Sequence, residues 1–259
     1  MSNTILYKIE DGVAYISLNR PDKFNSFNRE MALAFQSKLD EAEKDETVRC
    51  IYVTGTGKGF CAGQDLSEAI DPDGPELERI VEEHYNPIIS RLRNIEKPII
   101  AAVNGVAAGA GANIALACDI VLATQSASFI QAFSKIGLIP DSAGTFFLPK
   151  LIGMQRASAL MMLADKVTAD ESVTMGMIYK SFADESFEEE SKAIAKKLAT
   201  MPTKGIGLTK RLLNESLYNT FEEQIEREKI VQVEAGSTYD FQEGVSAFLE
   251  KRKPEFKGK

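Results

Sequence analysis

The sequence predicts an α/β body followed by an all-helical tail, on three observations. Short apolar runs alternate with amphipathic helical patterns through the first two thirds, as in βα units with parallel strand pairing. The longest charge-free stretch, 99–118, is interrupted by Asn104, Asn113 and three glycines, so it reads as strand, turn and helix start instead of a membrane span. From Phe187 onward only helical patterns occur. Met201-Pro202-Thr203 is the natural break, dividing a core over 1–200 from a helical region over 201–259 that docks on the body or on another subunit.

Each element follows from local chemistry. Ile5, Tyr7 and Ile9 alternate with polar residues, Asp11-Gly12 supplies a tight turn, and VAYISLN resumes the apolar pattern, which is a β-hairpin signal. Arg20-Pro21-Asp22 ends the second strand. Asn28 is a suitable N-cap, and Met31, Phe35, Leu39 and Ala42 recur at helical spacing, so an amphipathic helix is expected over Arg29–Lys44. VRCIYVT is the next strand, and GTGKGFCAGQDL a glycine-rich loop. It is no Walker phosphate loop, because Gly57-Lys58 is followed by Gly59. A turn cluster at 71–75 precedes an expected helix over 76–94. Strands are expected at Ile99–Val103, 119–124 and Ser128–Ile130. Helices are expected over 142–151, 155–164, 188–200, 207–218, 221–235 and 241–251.

Composition limits the function. With 259 residues, 44% hydrophobic and 26% charged, the chain can bury a full core. A net charge of −8 argues against non-specific nucleic-acid binding. The basic end (Lys251, Arg252, Lys253, Lys257, Lys259) is a local exception, read as solvated or as able to meet a phosphate. Cys50, Cys61 and Cys118 lack metal-ligand spacing and there is one histidine, so no metal site is expected. Isolated cysteines and an N-terminus without a basic-then-apolar pattern lead to the expectation of a cytoplasmic protein.

Chemistry concentrates in 97–141. The buried strand empties into Asn104-Gly105 and then GVAAGAGAN, where glycines permit positive φ and close backbone approach. The dinucleotide fingerprint is absent, since Ile114 stands where its third glycine belongs. A helix start after Ala110 presents free N–H groups. Downstream, Asp141 follows Pro140 in an apolar segment. An anion site built of backbone, plus one isolated carboxylate, would make an acid–base centre. Asp141 also reads as a helix N-cap, because Pro140-Asp141-Ser142 precedes a helical pattern. His84 lies in a helical EEHYNP segment, where a surface or partly buried imidazole is the default. Asp65 reads as a loop or capping carboxylate.

In their joint order, NRPDKFNSFNREM, FCAGQDL, VNGVAAGAGANIALACD and EGVSAFLEKRKPEF resemble the crotonase superfamily, which acts on coenzyme A thioesters, and the likeness runs nearly end to end. FCAGQDL, NGVAAGAGA, AFSKIGLIPD and GVSAFLEKRKPEFKGK are most similar to its phenylacetate-pathway isomerase branch. The resemblance implies a crotonase-like spiral of ββα units and C-terminal helices that build a trimer or a dimer of trimers. It implies an oxyanion hole for the thioester carbonyl made by the backbone N–H groups of Gln64 and Ala110, with no cofactor beyond the CoA of the substrate. It places an acid–base carboxylate at Asp141. If the apolar sequence neighbours Ile136, Leu138, Ile139, Phe146 and Phe147 surround that carboxylate, desolvation raises its pKa.

Departures from the family pattern narrow the activity. Family hydratases carry two glutamates that activate water, and this chain has Asn113 and Phe133 at those positions. The implied reaction is isomerisation, of ring-1,2-epoxyphenylacetyl-CoA to oxepin-CoA or of 3-enoyl-CoA to 2-enoyl-CoA. Lys23, Ala62, Gly63, Gln64, Asp65, Leu66, Gly109, Phe248 and Lys251 match substrate- and CoA-contacting positions. Three alternatives stay open: a hydratase with Asp141 handling water; a hydrolase or dehalogenase with Asp141 as nucleophile and His84 assisting, though family dehalogenases use a tryptophan near Phe133 and this chain has none; and a CoA-binding scaffold without turnover.

Overall fold

A computed structural model describes residues 3–259. The chain opens on the antiparallel hairpin of β1 (Ile5–Glu10) and β2 (Val13–Leu18), with Glu10 opposite Val13. The two-residue turn places both Asp11 and Gly12 at positive φ, the geometry that matches strand twist. Helix α1 (Arg29–Lys44) follows, capped by the Asn28 side chain, which accepts from the Met31 N–H. Strands then come in pairs: β3 (Cys50–Gly55) with β4 (Gly59–Cys61), β5 (Ile99–Val103) with β6 (Val106–Ala108), and β7 (Ile120–Thr124) with β8 (Ser128–Ile130).

The first member of each pair joins a six-stranded sheet, β1-β2-β3-β5-β7-β10, with β10 spanning Lys180–Phe182. The second joins a four-stranded sheet, β4-β6-β8-β9, with β9 spanning Lys166–Thr168. Pairing is parallel except at β1–β2 and β8–β9. Between successive pairs run α2 (Leu66–Ala69), α3 (Leu77–Ile80) and α4 (Asn86–Asn94), then α5 (Ala110–Ala117). After β8 come α6 (Gly144–Ile152), α7 (Met154–Leu163), β9, α8 (Ala169–Thr174) and β10. This is the expected spiral of ββα turns.

The core lies between the sheets and the helices. Ile16, Ile51, Val53, Ala101 and Val103 face α1, α4 and α5 in one apolar cluster. On the other face of the large sheet, Tyr15, Tyr52, Ile100 and Leu122 meet Phe187, Ala195 and Ala199 of α9 (Phe187–Ala199). The last helices are α10 (Thr203–Glu215), α11 (Phe221–Gly236) and α12 (Tyr239–Glu250).

Several boundaries differ from expectation. The helix expected over 76–94 is interrupted by a π turn at Val81–Tyr85. Pro87 has no N–H to give the Glu83 carbonyl, and the Gln36 side chain donates there instead at 2.8 Å. The helix expected from Gly207 starts at Thr203, and that expected from Phe241 starts at Tyr239 under a Thr238 cap. Strands β4, β6, β9 and β10 and helix α8 carry no sequence-level signal, because three-residue strands and a six-residue helix are too short to show a period. His84 is fully buried, not superficial, and both ring nitrogens lack a hydrogen-bond partner.

Candidate active site

Two glycines with positive φ build the backbone half of the site. Gly63 (φ +91°) precedes Gln64, and Gly109 (φ +53°, ψ −129°) precedes Ala110. L side chains are strained in such conformations. Among the described residues neither the Gln64 nor the Ala110 N–H has an acceptor. Because β4 and β6 are parallel neighbours, the loops leaving their C-terminal ends run side by side. A Cβ on Gly63 would lie 3.0 Å from the Ala108 carbonyl oxygen and 3.4 Å from the Ala110 nitrogen. Ala110 also opens α5, so the positive end of that helix adds to its N–H.

The loop bearing Gln64 is tied down through its side chain. Gln64 Oε1 accepts from Tyr85 Oη at 2.8 Å, and Nε2 donates to Glu68 at 2.9 Å. Glu68 accepts in turn from the Arg29 N–H at the start of α1. Asp65 caps α2 by accepting from the Ser67 N–H and pairs with Arg20 at 2.7 Å.

Asp141 supplies the carboxylate. The cap reading is corrected here: the residue preceding α6 is Ala143, with no side-chain cap, and Asp141 Oδ1 accepts from Ser142 Oγ at 2.9 Å. Consecutive left-handed residues, Ser142 (φ +51°) and Ala143 (φ +57°), turn the chain between carboxylate and helix. Burial pushes the Asp141 carboxyl above its ordinary range, and the Ser142 hydroxyl only partly offsets this.

One cavity of about 210 Å³ collects these groups. Ala62, Gly63, Gln64, Leu66, Gly109, Ala110 and Asp141 border it, as does Tyr85. Leu77, Ile80, Phe133, Ile136 and Leu138 make its walls apolar, and Lys135 is the one other charged residue on it. Phe133 is buried, with its ring 3.8 Å from where a Cβ on Gly109 would stand. Roomier clefts lie elsewhere, one of about 680 Å³ between α1 and the C-terminal residues. Neither Asp141 nor the Gln64 and Ala110 N–H groups border any of those clefts.

Other expected residues stand apart. Asp65 does not border the cavity, because its carboxylate is engaged by Arg20 and Ser67. Lys23 is exposed at the end of a 3-10 turn, Phe248 is 83% exposed on α12, and Lys251 closes that helix. His84 does not reach the cavity. Of the apolar sequence neighbours, Ile136 and Leu138 surround it, whereas Ile139 is 81% exposed and Phe146 stacks on Tyr218. Tyr85, Leu77 and Ile80 were not legible as site residues. The π turn is what brings Tyr85 to Gln64, and only Pro87 hints at it.

A carboxylate in an apolar cavity, facing two free N–H groups, is suited to moving a proton next to a carbonyl whose charge those groups hold. The model of the enoyl-CoA hydratase/isomerase family matches residues 8–259, and the chain belongs to that family, the crotonases. It is an enzyme of that family. It is 47% identical to the 1,2-epoxyphenylacetyl-CoA isomerase of Escherichia coli K12 over the whole of both chains. It is 36% identical to the 4-chlorobenzoyl coenzyme A dehalogenase-2 of an Arthrobacter species, over 84% of this chain and 80% of that one. The crystal structure of enoyl-CoA hydratase from Bacillus anthracis superposes with a TM-score of 0.92 at 30% identity, covering 99% of this chain and 100% of that one.

Proposed function

We propose that the protein is a cofactor-free isomerase of acyl-CoA thioesters. The thioester carbonyl sits between the Gln64 and Ala110 N–H groups. Asp141 takes a proton from the α carbon and returns one further along the acyl chain. What supports this reading is a half-buried carboxylate among apolar walls, with Phe133 and the hydrogen-bonded Asn113 where family hydratases have glutamates. Removal of the α proton makes an enolate, and two preorganised donors stabilise its oxygen; one such donor is worth roughly 3–4 kcal/mol of barrier. The E. coli relative supports an aromatic epoxide, ring-1,2-epoxyphenylacetyl-CoA, as physiological substrate in phenylacetate breakdown, with 3-enoyl-CoA a simpler one. Lys23, Phe248 and Lys251 are assigned to the nucleotide end of CoA, Phe248 and Lys251 across a subunit boundary in a trimer or hexamer. Three unpaired, buried cysteines suit a reducing cytoplasm.

A dehalogenase reading, prompted by the Arthrobacter relative, asks Asp141 to be a nucleophile with His84 activating water. The burial of His84 away from the cavity weighs against it.

The test is conversion of a 3-enoyl-CoA to its conjugated 2-enoyl isomer by wild type and Asp141→Asn. Wild type is expected to isomerise without forming 3-hydroxyacyl-CoA, and the variant to lose at least about 100-fold in rate. Hydration by both proteins would overturn the reading.

A further inference from the structure

Asn113 stands in the first turn of α5 with its side chain 1% exposed, and it does not border the cavity. Its amide faces the other way. Nδ2 donates to the Asp141 carbonyl at 2.8 Å, and Oδ1 accepts from Gln131 Nε2 at 2.8 Å. Gln131 is itself buried, and its Oε1 has no partner, so the bond to Asn113 is its one side-chain hydrogen bond. The Asp141 carbonyl can only accept, so Asn113 turns its nitrogen to Asp141 and its oxygen to Gln131, which donates.

The segment that carries Asp141 needs such a tie. Ile136, Leu138 and Ile139 are exposed, and Pro140 has no N–H to donate. Ser142 and Ala143 hold left-handed φ, a conformation that persists in L residues only where the surroundings enforce it. The Asp141 carbonyl is the enforced point, accepting the Gly144 N–H at 2.9 Å as well as Asn113 Nδ2. Gly144 has no positive φ to explain the glycine. Instead, a Cβ there would stand 2.3 Å from Asn113 Nδ2. The missing side chain is what lets the amide reach.

We propose that Asn113 is a positioning residue: its hydrogen bond to the Asp141 carbonyl sets where the Asp141 carboxylate stands relative to the two oxyanion donors, and residue 144 is glycine to admit that bond. This deepens, and rests on, the reading of Asp141 as the acid–base group. A glutamate in place of Asn113 offers only acceptor oxygens when ionised and cannot make this bond. The position therefore either activates water or holds the proton-transfer carboxylate, and cannot do both.

The experiment is steady-state isomerisation of 3-enoyl-CoA over a range of pH by wild type, Asp141→Asn, Asn113→Ala, Asn113→Asp, Gly144→Ala and the Asn113→Ala/Gly144→Ala double variant. Asn113→Ala and Gly144→Ala are each expected to lower kcat by about 10- to 100-fold, since a displacement near 1 Å is costly at a reacting carbon, with KM within about twofold. The acidic limb of the kcat profile should move in both. In the double variant the new methyl group fills vacated space, so its loss should be no larger than that of Asn113→Ala alone. Asn113→Asp keeps the size and loses the neutral amide donor, which covers the case in which the alanine variant does not fold. Asp141→Asn inactive while the Asn113 and Gly144 variants keep wild-type kcat and pH profile, with only thermal stability lowered, would overturn the positioning role. So would losses that multiply in the double variant. Asp141→Asn fully active would instead overturn the acid–base reading.

Discussion

A half-buried carboxylate beside Leu138, Ile136 and Phe133 ionises at a cost to the fold that holds it. The sign follows from proton linkage. Burial raises the Asp141 pKa above its unfolded value, so between the two values the native state binds more protons than the unfolded chain. Stability then falls as pH rises through that window, and above it the full cost of a partly desolvated charge remains. Asp141→Asn removes the charge while its amide oxygen can still accept from Ser142. The variant is expected to melt higher than wild type at neutral pH, with the difference shrinking as pH falls below the raised pKa. Thermal melts across pH check this, and a variant that melts lower at neutral pH contradicts it. Asp141 was legible in the sequence as a lone acid in an apolar segment. Its neighbours were only half legible: Ile136 and Leu138 close over the cavity, but Ile139 points to solvent, because adjacency in a turn says nothing about facing. The contact of Asn113 with Asp141 was not legible at all. A hydrogen bond spanning 28 residues leaves no local pattern.

At the scale of elements, the paired strands do the positioning. Long strands β3, β5 and β7 were visible as apolar runs, whereas β4 and β6, which place the Gln64 and Ala110 N–H groups side by side, are three residues each and were seen only as glycine-rich loops. The glycines were the usable signal, since Gly63 and Gly109 sit at the strained positions just before the donors. The π turn at Val81–Tyr85 extends the scaffold by bringing Tyr85 Oη to Gln64. Because the tethered side chain and the free N–H belong to the same residue, Gln64, loosening one loosens the other. Tyr85→Phe is expected to lower kcat/KM by about 3- to 10-fold, in line with one net hydrogen bond. Kinetics with 3-enoyl-CoA check it. An unchanged kcat/KM would show that the Tyr85–Gln64–Glu68 chain does not support the oxyanion hole.

Over the whole molecule, the C-terminal third is fastened to the body by a few buried polar contacts. Lys210 on α10 is almost fully buried, pairs with Asp119 at 2.8 Å and donates to the Leu92 carbonyl at 2.7 Å. Asp240 accepts the N–H groups of Lys257 and Gly258, and Arg49 donates to the Phe256 carbonyl, so the final residues fold back beside α12. The break at Met201-Pro202-Thr203 was legible from proline alone; these clamps were not, since each joins residues far apart in sequence. Beyond them, Leu213, Phe221, Val233, Phe248 and Leu249 are exposed on the last three helices. That much apolar surface on one region is characteristic of a covered face. Sedimentation equilibrium is expected to give three or six times the 28.4 kDa chain mass, and a monomer at micromolar concentration contradicts this.

Proton transfer by Asp141 is tested most directly with 3-enoyl-CoA carrying deuterium at the α carbon, converted in ordinary water by wild type and Asp141→Asn, with the 2-enoyl product analysed by mass spectrometry. One carboxylate in a water-poor cavity carries the deuteron from the α to the γ carbon, so a measurable share of the wild-type product retains it there, and the variant forms essentially no product. Product with only solvent hydrogen at the γ carbon, formed equally fast by both proteins, would contradict the assignment of Asp141.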